Sequence, residues 1–194
     1  MTRDRPTRSR TGRTRSEIPR ILVVCGGVRT ETDYLDALRR LHPGHVIVLL
    51  RSKGVDPAGC IRYAVAQSRV ADTAYSEVWC VVDVDEFDLD AAARQAAEAD
   101  VQLAVSNPCF ELWLLLHLTD AGRNFADARD VARELRRALP GYDKTRLVFD
   151  DFVGGIDKAV ERARRLEKDG AGGMPNPSSG MWRLVTRIVG EGQT

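Results

Sequence analysis

Apolar residues recur along this chain in two alternating patterns: short unbroken runs, and longer stretches in which they return every three or four positions. The runs occupy residues 20–25, 45–50, 78–83 and 101–105. Each is rich in β-favouring residues and lacks polar alternation, which predicts strands buried on both faces of a parallel sheet. Helical patterns separate them. The first begins at Thr30, the expected N-cap with Asp33 in capping-box position, and carries Tyr34, Leu35, Leu38 and Leu41 on one stripe. The second opens on the cap Asp56 and the first-turn Pro57 and runs to about Ala71; the third is alanine-rich, from Asp90 to Ala99. Strands alternating with helices of this length predict an α/β fold with helices on both faces of the sheet. Past residue 120 no strand pattern is strong. Charged helices are expected at about 127–139 and 156–168, followed by a glycine-rich loop at 170–179. A last amphipathic helix then carries Met181, Leu184, Val185 and Ile188 at i, i+3, i+4 and i+7.

The run at residues 78–83 ends abruptly in Asp83-Val84-Asp85-Glu86, at the strand end where open α/β sheets place their ligands. Side chains two apart on an extended segment point the same way. Asp83 and Asp85 are thus candidate ligands for a hard cation, Mg²⁺ or Mn²⁺, although aspartates there also serve as turn residues or helix caps. Gly26-Gly27, between the first strand and its helix, brings backbone N–H groups and a helix N-terminus to the same edge. That suits a phosphate, and equally a tight turn; neither the Walker nor the Rossmann pattern is present. The third informative stretch is Ser106 to His117. Ser106 or Asn107 is the expected cap, Pro108 the first helical turn, and the helix that follows is apolar almost all round, with Glu111 as the exception. A buried carboxylate demands a partner, either an arginine or a backbone amide, or the cation held by Asp83 and Asp85.

Composition adds an asymmetry. The 194-residue chain has a net charge of +1, yet residues 1–20 carry seven arginines against Asp4 and Glu17. The arm up to residue 19 is poor in apolar residues and is expected to be disordered, suited to a phosphate backbone or to solvation alone, with residues 20–194 forming one domain. The four cysteines have no metal-binding spacing and are expected to be buried reduced thiols; the three histidines are too scattered for a zinc site. His117, late in an apolar helix, is expected to pack or cap. No window is long and apolar enough to cross a bilayer and the first twenty residues lack a signal-peptide core, so the expected location is cytoplasmic.

In order along the chain, Gly26-Gly27-Val28-Arg29-Thr30-Glu31-x-x-Tyr34, Asp83-Val84-Asp85, Ser106-Asn107-Pro108-Cys109-Phe110-Glu111-Leu112-Trp113 through His117, Tyr142-x-Lys144 and Asn176-Pro177-Ser178-Ser179 resemble the RloB-like family. That family is bacterial and linked to restriction and abortive phage-defence loci. The resemblance implies a TOPRIM-like fold, a parallel-sheet core with a mainly helical C-terminal part. It also implies a Mg²⁺- or Mn²⁺-dependent nuclease acting on nucleic acid, RNA or tRNA among the targets, alongside other defence-system proteins. Asp83, Asp85 and Glu111 would be metal ligands. Glu31, Asn107 and Lys144 would join them in catalysis, and Gly26, Gly27, Arg29 and Thr30 would meet substrate. One departure stands out. The glutamate expected at the end of the first strand falls at Gly26, leaving Glu31 and Glu111 as candidate replacements. The alternative is a catalytically silent module that senses a nucleotide or nucleic acid.

Overall fold

The computed structural model describes residues 18–27, 29–51, 56–70, 74–84, 89–169 and 175–190. Most of the arginine-rich arm, Asp85 with Glu86, and Gly170, Gly172 and Gly173 lie outside the described residues. A five-stranded sheet forms the centre: β1 (Arg20–Cys25), β2 (Val46–Arg51), β3 (Glu77–Asp83), β4 (Gln102–Asn107) and β5 (Ser178–Ser179), in the order β2-β1-β3-β4-β5. The first three pairings are parallel, with Cys25 opposite Val81 and Asp83 opposite Ser106. α1 (Thr30–Leu41), α2 (Pro57–Val70) and α3 (Leu89–Glu98) are the crossovers.

The unbroken apolar runs are explained by two cores, one on each face of the sheet. Ile21, Val23, Cys25 and Val81 point into the larger, which is closed by α1, α4 (Glu111–Leu118), α5 (Ala128–Ala138), α6 (Asp150–Val153), α7 (Ile156–Asp169) and α8 (Met181–Val189). Leu22, Val24, Cys80 and Val82 point the other way, toward α2 and α3. The inner strands are therefore buried on both faces, and polar alternation is excluded. All four cysteines lie in these cores as thiols. Among the described residues no helix is long and apolar enough to cross a membrane.

Three local expectations are corrected. Thr30 does not cap α1: Arg29 holds the cap position through its backbone, with Asp33 N donating to Arg29 O, while the Thr30 hydroxyl donates to Lys144 O at 3.2 Å. Ser106 and Asn107 do not cap α4, and Pro108 is not in its first turn. Both belong to β4, the Asn107–Pro108 bond is cis, and α4 starts three residues after the proline, at Glu111. The third is β5, a two-residue antiparallel strand that closes the edge of β4, with Ser106 Oγ and Ser179 Oγ 3.0 Å apart. Asn176, just before it, is pinned at both ends of its amide by Phe125: Phe125 N donates to Oδ1 and Nδ2 donates to Phe125 O.

His117 packs as expected. Its Nδ1 faces Trp113 O at 2.8 Å, which fixes the proton on Nδ1 and leaves Nε2 to accept from the Tyr34 hydroxyl at 3.0 Å. The ring meets Tyr34, Trp113 and Phe152 edge to face.

Candidate active site

The carboxyl ends of β1 and β3, the first turn of α1 and the 142–146 loop enclose a cleft of about 520 Å³ lined by Gly27, Arg29, Thr30, Glu31, Asp83, Lys144 and Thr145. Two glycines shape it. Gly26 N donates to Val81 O at 2.8 Å, and a Cβ at Gly26 would stand 3.3 Å from that same carbonyl, so the chain leaving β1 hugs β3. At Gly27 a Cβ would overlap the carboxylate of Glu31. Glu31 starts from the first turn of α1, but its side chain folds back over the end of β1, into space that only glycine leaves open. The Glu31 carboxylate thus stands beside Gly27 at the end of the first strand, one residue past Gly26.

Glu31 is 8% exposed. Burial raises its pKa, its own backbone N–H opposes that, the Glu111 carboxylate raises it further and Lys144 lowers it. Glu111 is 3% exposed and pairs with Lys144, Nζ to Oε1 at 2.7 Å. Its partner is therefore a lysine, neither the arginine nor the backbone amide that the sequence suggested. Burial pulls the Lys144 pKa down, but the Glu111 carboxylate outweighs it and the net shift is upward. Beside this pair the Cys109 thiol is held far above its usual range by burial, then by Glu111 and Asp83, so it sits in the field of both acids.

The loop that carries Lys144 is fixed from two sides. Asp143 Oδ1 accepts from the backbone N–H and the hydroxyl of Thr145, both at 2.8 Å, forming a tight turn. Arg29 Nη1 donates to Thr145 O at 3.1 Å and Thr30 to Lys144 O, latching the turn to the N-terminus of α1. Removing the ammonium strands Glu111 in a nearly closed pocket. Lys144→Met is therefore expected to lower stability by about 2 kcal/mol, less than for a fully buried pair because the lysine side chain is 65% exposed, and Glu111→Gln in the same chain to recover most of it. Urea melts of the two variants check this; equal losses in both would mean that the unpaired Glu111 charge is not what destabilises Lys144→Met.

Gly27, Arg29, Thr30, Glu31, Asp83 and Lys144 come together as the sequence suggested, and Gly26 and Glu111 border them. Asn107 is not among the residues that line the cleft; its Nδ2 donates to Pro175 O at 3.2 Å. Asp85 lies outside the described residues. Among the described residues no three His, Cys, Asp or Glu side chains form a group that holds a metal. Glu31 and Asp83 nonetheless line one cleft with oxygen donors of the kind a hard cation prefers, so the chemistry of these two side chains fits Mg²⁺ or Mn²⁺. Thr145 is the cleft residue that sequence reasoning missed; nothing in its local pattern separates it from an ordinary turn threonine.

The family model of the RloB-like proteins matches residues 21–188, from the second residue of β1 to the penultimate residue of α8. The chain belongs to the RloB-like family. No curated protein and no solved structure matches it. In this RloB-like protein the motif residues divide by role. Tyr34, Trp113, His117, Asn176, Ser178 and Ser179 build the larger core and the β4 edge, whereas Gly27, Glu31, Asp83 and Lys144 surround the cleft.

Proposed function

We propose that this protein is a metal-dependent nuclease that hydrolyses phosphodiester bonds in nucleic acid, RNA foremost, as part of bacterial defence against phage. The observation that carries this reading is the Glu31 carboxylate folded over the end of β1 into one cleft with Asp83. Asp83 and Glu31, with Asp85, would hold Mg²⁺ or Mn²⁺, which when bound acidifies water and neutralises charge on the phosphate. Glu31, its pKa raised by burial, is suited to take the proton of the attacking water. Lys144 places a positive charge opposite the acids for the oxygens that gain charge during cleavage, and Arg29 and the N-terminus of α1 hold the phosphate in place.

One observation favours a second reading. Lys144 already neutralises Glu111, so the cleft holds a built-in counter-charge and suits a nucleotide bound without hydrolysis. The test is cleavage of total cellular RNA and of DNA by the purified chain with Mg²⁺, Mn²⁺ or a chelator. Metal-dependent products that fall at least a hundredfold in Asp83→Asn are expected. Products that persist in chelator would overturn the metal reading, and a wild type that binds oligonucleotide without cutting it would leave the silent module.

A further inference from the structure

The 142–146 loop brings a second polar side chain to the acidic cleft besides Lys144. Tyr142 stands two residues before Lys144 and three before Thr145, both of which line the cleft. Its backbone N–H donates to Leu139 O at 3.0 Å, which ties the loop to the residue that ends α5. The side chain belongs to the larger core and is 8% exposed. Its phenol oxygen is buried and has no hydrogen-bond partner among the described residues. Folded proteins seldom leave a buried hydroxyl in that state, so a specific use for it is expected.

The surroundings indicate which group the hydroxyl serves. Burial first, then the Glu111 carboxylate, the Cys109 thiol and Glu31 hold its proton on far above the usual tyrosine range, while Arg136 opposes them. The phenol therefore faces the acids of the cleft, Glu111 foremost. Glu111 is itself constrained. It is 3% exposed and paired with Lys144 at 2.7 Å, and the Cys109 thiol adds a hydrogen bond from a weak donor. Lys144 in turn lines the cleft with a side chain that is more than half exposed, which makes it free to swing toward a phosphate there. If it left without replacement, a bare carboxylate would remain in a closed pocket, which is strongly unfavourable. Movement of Lys144 to a substrate thus requires another donor for Glu111.

We propose that Tyr142 is a positioning residue that frees Lys144 for substrate: when the ammonium turns from Glu111 to a phosphate of a bound nucleic acid, the Tyr142 hydroxyl turns to Glu111 and donates to the carboxylate in its place. Tyr142 keeps its proton throughout, so only hydrogen bonds are exchanged. The site then has two settings. In the empty cleft Lys144 balances Glu111; in the filled cleft it balances the phosphate, and the phenol satisfies Glu111 from the core side. The built-in counter-charge of the resting site is thereby released to the ligand without stranding a buried acid. The inference rests on the nucleic-acid reading of the cleft and adds the residue that allows its lysine to move.

The test is a double-mutant cycle of urea midpoints with Lys144→Met, Tyr142→Phe and the two combined, measured without ligand. Tyr142→Phe removes no hydrogen bond of the resting protein, so its midpoint should not fall. In Lys144→Met the hydroxyl is free to take Glu111, so adding Tyr142→Phe there should lower the midpoint well beyond the sum of the single changes. The second arm is fluorescence anisotropy of a labelled single-stranded RNA of about twelve nucleotides in EDTA, which keeps the strand intact whatever the activity. Tyr142→Phe is expected to bind it about tenfold more weakly at unchanged melting temperature, and the double variant no more weakly than Lys144→Met. Additive midpoints overturn the inference. So does a Tyr142→Phe midpoint that falls by itself, which would give the hydroxyl a partner in the resting protein, and so does unchanged affinity in Tyr142→Phe. Coupled midpoints and weakened binding together with an uncleaving wild type uphold the exchange and overturn the nuclease; cleavage by wild type with additive midpoints does the reverse.

Discussion

Glu31→Gln is expected to reduce metal-dependent cleavage roughly 10³-fold and, at the same time, to raise the melting temperature at neutral pH. Both effects follow from one placement. The carboxylate lies in the space beside Gly27, 8% exposed, facing a second buried glutamate whose partner is Lys144. As a ligand and proton acceptor its charge is needed, and the amide has the same shape without the charge. As a structural element the charge is unfavourable. Burial first, and Glu111 after it, raise the folded-state pKa above that of an unfolded glutamate, about 4.3. The folded state therefore binds the proton more tightly than the unfolded one. The resulting stability is full below the unfolded pKa and is lost as pH rises through the folded pKa. At pH 7–8 wild type has lost it and Glu31→Gln has not, so the variant should melt a few degrees higher there and level with wild type near pH 4. Thermal melts across that range, paired with the cleavage assay, check both halves. A variant that loses stability at pH 8 would show that the carboxylate holds the turn together, and one that cuts normally would reduce Glu31 to a helix-terminus residue.

Acid unfolding through His117 is the second large effect. The imidazole is 4% exposed, its Nδ1–H donates to Trp113 O and its Nε2 accepts from Tyr34. Burial lowers its pKa to about 4, the Trp113 carbonyl opposes that, and Arg162 lowers it again. Here the folded state binds the proton more weakly than the unfolded state. Stability is present above the unfolded value, about 6.5, and is lost as pH falls toward 4. At 1.36 kcal/mol per pH unit the loss amounts to roughly 3 kcal/mol, a large share of a typical domain's stability. Urea midpoints taken from pH 7.5 to 4 should show this fall, and His117→Asn, which keeps a donor for Trp113 O, should lack it. The Glu31 contribution runs in the opposite direction, so the two are separable by variant. A wild-type midpoint that is flat between pH 6.5 and 5 would mean that the His117 proton finds an acceptor in the folded core.

The residues most characteristic of the family stretch from 106 to 117 serve packing more than chemistry. Trp113 and His117 close around Tyr34 from α1, and Phe110 meets the same ring edge to face. Of that stretch, Glu111 borders the cleft, through its lysine. The chemistry lies on shorter and less distinctive pieces, the Gly27–Glu31 turn, Asp83 at its strand end and the loop at 142–146.

What the sequence determined by itself is the part encoded in neighbouring residues. The parallel strands and the crossover helices announce themselves through unbroken and three-to-four-residue apolar spacing, because a strand buried on both faces and a helix buried on one each require their own period. The Asp56 cap is legible for the same reason: its carboxylate accepts from Gly59 N, three residues on. Asp83 was found because a strand end is a local feature. Tertiary structure decided the rest. Pro108 and Thr30 carry helix-start chemistry in their own neighbourhoods, but β5 draws Ser106 and Asn107 into the sheet and Lys144 O takes the Thr30 hydroxyl. β5 itself is two residues long and exists only because β4 offers it an edge. The partner of Glu111 lies 33 positions away, and the reach of Glu31 depends on a missing Cβ at Gly27 and on β1 lying against β3. Periodicity says which face of an element is buried; which carboxylates then meet is set by how the faces pack, and no stretch of chain contains that by itself.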